Sequence, residues 1–187
     1  MENNWEFFNL YNHGFIRVAV GVPEARVADP VFNTARTIEL MEKAEHERAV
    51  LTLFPELGLS AYSCDDLFHQ RALLDASLAS LQRILEVSKN LGLVAVVGMP
   101  LQIDDLLFNC GVVLHKGNIL GVVPKTYLPN YREFYEVRQF APASAAHSSA
   151  IELLDQKDIP FGEQLLFKSV KAPGFTFFVE ICEDLWV

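Results

Sequence analysis

Three apolar runs, each closed by one reactive side chain, constrain this chain more than anything else in it. Ala49 to Pro55 ends in Glu56, Ile119 to Pro124 ends in Lys125, and the run from Thr176 ends in Cys182. Runs this short, rich in β-branched and aromatic residues and punctuated by Pro or Gly, read as strands. For the last of them Pro173-Gly174 marks the start, and the predicted strand covers Thr176 to Cys182. Strand ends are supported on one side and open on the other, so a fold that gathers these three would set a carboxylate, an ammonium and a thiol around one cleft. The carboxylate can take the thiol proton and the ammonium can steady thiolate and oxyanion, which suits attack on a carbonyl or nitrile carbon. Singly, none of the three compels that reading. A lone cysteine is ordinarily a small buried hydrophobe, a glutamate after Phe54-Pro55 equally caps a turn, and a lysine is ordinarily solvated.

The stretches between these runs supply the rest of an α/β layer architecture. Phe15 to Val22 reads as a first strand. Asp29-Pro30 then caps and opens a helix to about Arg48, with Ile38, Met41 and Ala44 at helical spacing. A second helix spans about Leu74 to Asn90, with Leu74, Leu78, Leu81, Leu85 and Ser88 on its buried side. Leu93 to Met99 is a strand covered on both faces. Phe108 to His115 and Ile119 to Val123 form a hairpin turning at Lys116-Gly117-Asn118. Thr126 to Phe140 is an aromatic, charged loop fit to be a substrate wall, and Ala141 to Ala150 reads as a surface connection.

Charge and cysteine usage exclude several classes. Twenty-four acidic against fifteen basic residues leave a formal charge of -9, which disfavours nucleic acid and anionic membrane surfaces as partners. The start, MENNWEFFNLYNHG, has no basic segment followed by an apolar core, and the longest apolar stretch, Leu91 to Leu101, is interrupted by Gly92, Gly98 and Pro100. Cys64, Cys110 and Cys182 are widely spaced and odd in number, as in a reducing compartment, so a cytoplasmic location is expected. No metal is expected, because His13, His46, His69, His115 and His147 show no ligand spacing, and no phosphate-cradling glycine loop is present.

Five blocks, YNHGFIRVAV, VADP, FPELGLSAYS, VVPKTYLPNYREFYE and VEICEDLWV, lie in this order along nearly the whole chain. With the ordered Glu, Lys and Cys they resemble the nitrilase (carbon-nitrogen hydrolase) superfamily, and within it the glutaminase domain of bacterial glutamine-dependent NAD synthetases. Ala61 stands where that pattern has Gly. The resemblance implies an αββα sandwich of which residues 1–187 are the amino-terminal part, with further elements of the same domain beyond Val187. It implies Glu56 as general base, Lys125 as oxyanion stabiliser, Cys182 as nucleophile and Glu133, eight residues after the lysine, as a second glutamate. Glu136 is close enough in sequence to take that last place, and the sequence does not separate the two. Tyr62, Tyr131 and Phe134 match substrate-pocket positions, and the backbone N–H of Glu183 is placed to join the oxyanion hole.

The activity so implied is hydrolysis of the glutamine side-chain amide through a cysteine thioester, the ammonia passing to a synthetase domain or subunit that amidates deamido-NAD. ATP and Mg would serve that absent domain, and no cofactor is expected in this chain. Assembly into a homo-oligomer is implied in the same way. A stand-alone amidase or carbamoyl hydrolase using the same trio is the alternative enzyme, and an inactive fragment or partner-binding module the alternative outside enzymology.

Overall fold

Why the carboxylate and the ammonium can meet follows from the order of strands in one sheet. The computed structural model describes residues 9–170, 172 and 174–187; the reading of residues 1–8 and of Pro173 falls outside these. The strands are β1 (Val18–Val20), β2 (Leu51–Leu53), β3 (Val94–Ile103), β4 (Leu106–His115) and β5 (Asn118–Pro124), ordered β1-β2-β3-β4-β5 across the sheet. The first three are parallel, with β2 central between β1 and β3, and β3-β4-β5 is an antiparallel meander. The parallel pairs are joined by the helices α1 (Pro30–His46) and α2 (Arg71–Ser88), as parallel strands require a crossover.

Helix α1 begins as its sequence dictates. Asp29 accepts the Phe32 N–H at 3.0 Å and Pro30 occupies the first turn, where its missing N–H costs nothing. Ile38, Met41 and Ala44 face the core as expected. Helix α2 buries Leu81, Leu85 and Ser88 as expected, but its buried side is wider than the leucine spacing implied. Leu73, Ser77, Ser80, Leu81, Ile84, Leu85 and Ser88 are buried, while Leu74 and Leu78 are only half-buried. Small serines replace leucines along this seam because α2 lies against α1, where Ser80 Oγ donates to the carbonyl of Pro30 at 3.1 Å.

Both helices cover the face of the sheet that carries Ala95, Val97, Met99, Val112 and Leu114, and together they form the main core. The alternate residues Val20, Leu53, Val96 and Gly111 point to the opposite face. That is one layer pair of the expected sandwich. On its far face lie the side chains of Leu165 and Phe167, at Gly121, and an extended segment, Val179 to Ile181. Gly111 makes room for it, since a Cβ there would lie 3.1 Å from Val179 Cγ1.

The third expected strand is corrected here. Only Thr176–Phe177 (β9) is a strand, and it pairs with Phe167–Lys168 (β8) in a separate two-stranded ribbon. From Phe178 onward the chain stays extended, with Val179 half-buried and Ile181 buried on the sheet, but it has no ladder partner among the described residues. Cys182 is therefore not the end of a buried strand. It is exposed and opens a 3-10 turn, Cys182–Leu185, with a left-handed φ of 49°.

Two hairpins turn on paired left-handed residues: Asp104-Asp105 between β3 and β4, and Leu154-Asp155 between β6 (Ala150–Leu153) and β7 (Gln156–Pro160). The second hairpin follows the segment read as a surface connection, which does run at the surface except at Ala143, buried and donating its N–H to the Lys125 carbonyl at 2.9 Å. Among the described residues no helix is long and apolar enough to cross a membrane.

Candidate active site

Glu56 is placed by a loop that folds back onto β3. Phe54 N–H still pairs with Val96 at 3.0 Å, and Leu59 N–H then donates to Gly98 at 3.1 Å, so residues 55–58 arch over Gly98. The arch comes so close that a Cβ at Gly98 would lie 2.5 Å from both Leu57 N and Pro55 O. Buried Asn33 of α1 fastens the far side, donating to the Leu59 carbonyl at 3.1 Å. Leu57 and Ala61 both take left-handed φ, 51° and 67°, which explains the glycine expected at position 61.

Lys125 stands where β5 leaves the sheet. Its N–H donates to the Asn109 carbonyl at 2.8 Å, and its side chain is fully buried. The ammonium donates to Glu56 Oε1 at 2.7 Å and to Glu136 Oε1 at 2.8 Å. Two further donors complete the network: Asn109 Nδ2 to Glu56 Oε1 at 2.6 Å, and the Tyr62 hydroxyl to Glu136 Oε1 at 2.6 Å. One buried cation thus bridges two carboxylates, and each bridging oxygen has a second donor. A lysine so deep in the protein is tolerable only with such pairing.

The second glutamate is Glu136 in position, not Glu133. Glu136 N–H donates to the Pro129 carbonyl at 3.1 Å and begins a short 3-10 turn, which folds the loop inward and buries this carboxylate. Glu133 is exposed three residues earlier, on the wall of a neighbouring cavity of about 280 Å³ that also includes Tyr62 and Phe134. Tyr131 packs edge-on against Phe134, with ring centroids 5.9 Å apart, and donates to the Glu183 carboxylate at 3.1 Å. The structure thus brings Glu56, Lys125 and Glu136 into direct contact and joins Tyr62, Phe134, Tyr131 and Glu183 to them in one chain of contacts.

Cys182 shares a cavity of about 270 Å³ with Glu56, Asn109, Cys110, Gly111 and Ile181. Lys125 does not line it and stands behind Glu56. The turn carrying the thiol is held by Asp184, whose Oδ1 accepts Thr126 N–H at 3.0 Å and Tyr127 N–H at 2.8 Å, and whose Oδ2 accepts Ile181 N–H at 3.2 Å. One carboxylate thereby ties the backbone after Lys125 to the backbone before Cys182.

Electrostatics follow from this burial. Although Cys182 is exposed, its partial enclosure by the cavity wall pushes the thiol up, the Glu56 charge pushes it further, and the Lys125 ammonium pulls it back only in part. At neutral pH the group is a thiol, so its use as a nucleophile requires a base. Burial raises Glu136 against the opposing bonds from Lys125 and Tyr62. Burial also works against the Lys125 ammonium, but the bonds to Glu136 and Glu56 hold it above the ordinary lysine value. Cys110, wholly enclosed in β4, is raised by burial alone, and Cys64 is raised chiefly by burial.

Sequence reasoning had passed over Asn109, Asp184 and Gly98. Asn109 breaks an otherwise apolar strand, a legible sign of a buried polar role, and Asp184 lies inside the acidic string that follows the cysteine. Nothing in the sequence marked Gly98, which had counted only as an interruption of an apolar stretch.

An α/β layer fold with an exposed thiol beside a carboxylate–ammonium–carboxylate cluster has the makings of a thiol-dependent hydrolase of C–N bonds. The chain belongs to the carbon-nitrogen hydrolase family, whose pattern it matches over residues 17–187. It is 42% identical over 181 residues to the glutamine-dependent NAD(+) synthetase of Mycobacterium tuberculosis, an alignment covering 97% of this chain and 26% of that protein. Among solved structures it resembles the glutamine-dependent NAD(+) synthetase of Cytophaga hutchinsonii, with a TM-score of 0.73, 23% identity and coverage of 82% of this chain and 26% of the other. The enzyme of the same description from Acinetobacter baumannii gives a TM-score of 0.68 at 28% identity, covering 89% and 28%. The chain thus spans about a quarter of the length of these relatives.

Proposed function

We propose that this chain is the amino-terminal part of a glutamine-hydrolysing domain that supplies ammonia for NAD synthesis. The observation that carries the reading is the buried Lys125 ammonium held between Glu56 and Glu136, with Glu56 on the wall of the cavity that holds the exposed Cys182 thiol. The similarity to glutamine-dependent NAD(+) synthetases supports glutamine as the amide.

Glu56 takes the thiol proton as sulfur attacks the side-chain carbonyl carbon of glutamine. The carbonyl oxygen becomes an oxyanion, stabilised by the Lys125 charge and by the N–H of Glu183, which lies in the first turn of the Cys182–Leu185 helix and so lacks an intrahelical acceptor. Glu56 returns the proton to nitrogen, the C–N bond breaks, and ammonia leaves a thioester. Water then gives a proton to Glu56 and attacks the thioester, and the thiolate regains its proton as glutamate departs. Glu136 holds Lys125 in place. Tyr62, Tyr131, Phe134 and the Glu183 carboxylate form the wall that meets the amino-acid end of the substrate. The ammonia passes to a synthetase domain or subunit, which binds ATP and Mg, in a homo-oligomeric assembly.

The test is intact mass after exposure to 6-diazo-5-oxo-norleucine, an electrophilic glutamine analogue, alongside ammonia release from glutamine and from simple aliphatic amides. One adduct, lost in Cys182→Ala, and a clear preference for glutamine are expected. Equal release from aliphatic amides would instead identify a general amidase, and an adduct that survives in Cys182→Ala would remove the nucleophile.

A further inference from the structure

We infer that Asn109 is a positioning residue for the hydrolytic step: its side chain commits one oxygen of Glu56, so that the other is the one that exchanges protons with Cys182. The inference rests on the reading of Glu56 as base and Cys182 as nucleophile.

Asn109 lies near the amino-terminal end of β4, on the same face as Gly111, over which the segment leading to Cys182 packs. It is 1% exposed. The residue touches both partners of the buried pair in different ways. Its carbonyl accepts the Lys125 N–H at 2.8 Å, and its Nδ2 donates to Glu56 Oε1 at 2.6 Å. The orientation of the amide is fixed by its neighbour, because a carboxylate oxygen can only accept and the amide oxygen could not face it.

Glu56 Oε1 therefore has two donors, Asn109 Nδ2 and Lys125 Nζ. Among the described residues no donor reaches Oε2, and Glu56 lines the cavity that contains Cys182. A carboxylate with one oxygen doubly bonded and the other open presents a single basic atom in a fixed direction. Lysine alone would not achieve this, since its three equivalent protons can follow the carboxylate as it rotates, whereas the asparagine is clamped in the sheet.

The residue also carries a cost. Its Oδ1 is buried without a hydrogen-bond partner among the described residues. A leucine of similar size would fill this position in an apolar strand without an orphaned oxygen, so what the amide adds here is its N–H bond to Glu56.

The charged and titratable groups around Glu56 are Lys125 from β5, Glu136 from the aromatic loop, Tyr62 from the loop after β2, and Cys182, Glu180 and Cys110 in the cavity wall. Asn109→Leu leaves all of these in place, so the change isolates the amide.

Two measurements on the whole chain test the inference. The rate of Cys182 labelling by 6-diazo-5-oxo-norleucine is followed from pH 5 to 9 in wild type and Asn109→Leu. The variant is expected to label about tenfold more slowly than wild type over this range. The side-chain amide signals of Asn109, identified by their loss in Asn109→Leu, are followed by ¹H–¹⁵N NMR in wild type and Glu56→Ala. One amide proton is expected downfield in wild type and back among ordinary asparagine signals in Glu56→Ala. An amide that ignores Glu56→Ala overturns the inference, as does a labelling profile unchanged by Asn109→Leu. If wild type is not labelled at any pH, the glutamine reading fails, and the NMR response alone then decides for or against the Asn109–Glu56 coupling.

Discussion

Tyr62 donates its hydroxyl to Oε1 of Glu136 at 2.6 Å, the same oxygen that accepts from Lys125 at 2.8 Å. The other oxygen of Glu136 is buried without a partner among the described residues, so Tyr62 is one of only two donors that hold this carboxylate. Tyr62→Phe is expected to lower stability by about 1–2 kcal/mol, as loss of a donor to a buried carboxylate does. The cost depends on pH. Burial holds Glu136 above the ordinary glutamate value, so its contribution to stability is full below that value and is lost as pH rises through the folded one. Removing Tyr62, whose bond lowers that value, raises it further. Urea unfolding should show a larger deficit at pH 7 than at pH 4, and an equal deficit at both would contradict the assignment of this bond.

The thiol of Cys182 lies above the ordinary cysteine value because of burial first and the Glu56 charge second, with Lys125 opposing both. Cys64 and Cys110 are buried, so iodoacetamide should modify the native protein at Cys182. The rate should rise with pH through a midpoint above about 8.5, the value for free cysteine. Removing the negative neighbour in Glu56→Gln should move the midpoint down. Removing the positive one in Lys125→Met should move it up. Intact mass against pH reads all three, and a midpoint that fails to separate the two variants would mean that neither charge reaches the thiol.

Asp184 accepts three backbone N–H groups, from Thr126, Tyr127 and Ile181. Asp184→Ala leaves all three without this acceptor and should cost about 2–4 kcal/mol while freeing the nucleophile's turn from the lysine's loop. Asp184→Asn keeps one oxygen for Thr126 and Tyr127 and loses only the bond to Ile181, so it should cost less than half as much. Urea midpoints for the two variants give the comparison, and equal losses would show that the side chain does not work through these bonds.

Much of this architecture was legible because short-range chemistry decides it. Asp29-Pro30 sets the start of α1, Lys116-Gly117 sets a hairpin, and strands ending in Glu56 and Lys125 set two corners of the site. What was not legible depends on contacts distant in sequence. Thr176 to Cys182 has the composition of a strand throughout, but a strand needs a neighbour, and beyond Phe177 the described residues provide none. Glu133 and Glu136 are equivalent by composition. They are separated only by a turn that depends on the Glu136–Pro129 bond. On α2 the spacing gives Leu81, Leu85 and Ser88 but not Ser77 and Ser80, because leucine periodicity ignores that a neighbouring helix selects small residues.

Gly98 gives the most local test of how Glu56 is seated. A Cβ at this position would lie 2.5 Å from Leu57 N, 2.5 Å from Pro55 O and 2.9 Å from the carbonyl carbon of Glu56, all of them backbone atoms that cannot swing aside. Gly98→Ala must therefore lift the arch of residues 55–58 off β3, and forcing such a contact costs about 1–3 kcal/mol. At Gly162 a Cβ meets nothing within 4 Å, so Gly162→Ala is the control and should change stability by less than about 0.5 kcal/mol. The chemical consequence differs from simple destabilisation. The seat of Cys182 rests on Gly111 and Asp184 rather than on the arch, so iodoacetamide should still reach the thiol, with its midpoint moved down as in Glu56→Gln. Labelling by 6-diazo-5-oxo-norleucine, which needs the base, should fall at least about tenfold, the low end of what general base catalysis supplies. Normal labelling in a folded Gly98→Ala protein would show that Glu56 does not need this arch to act.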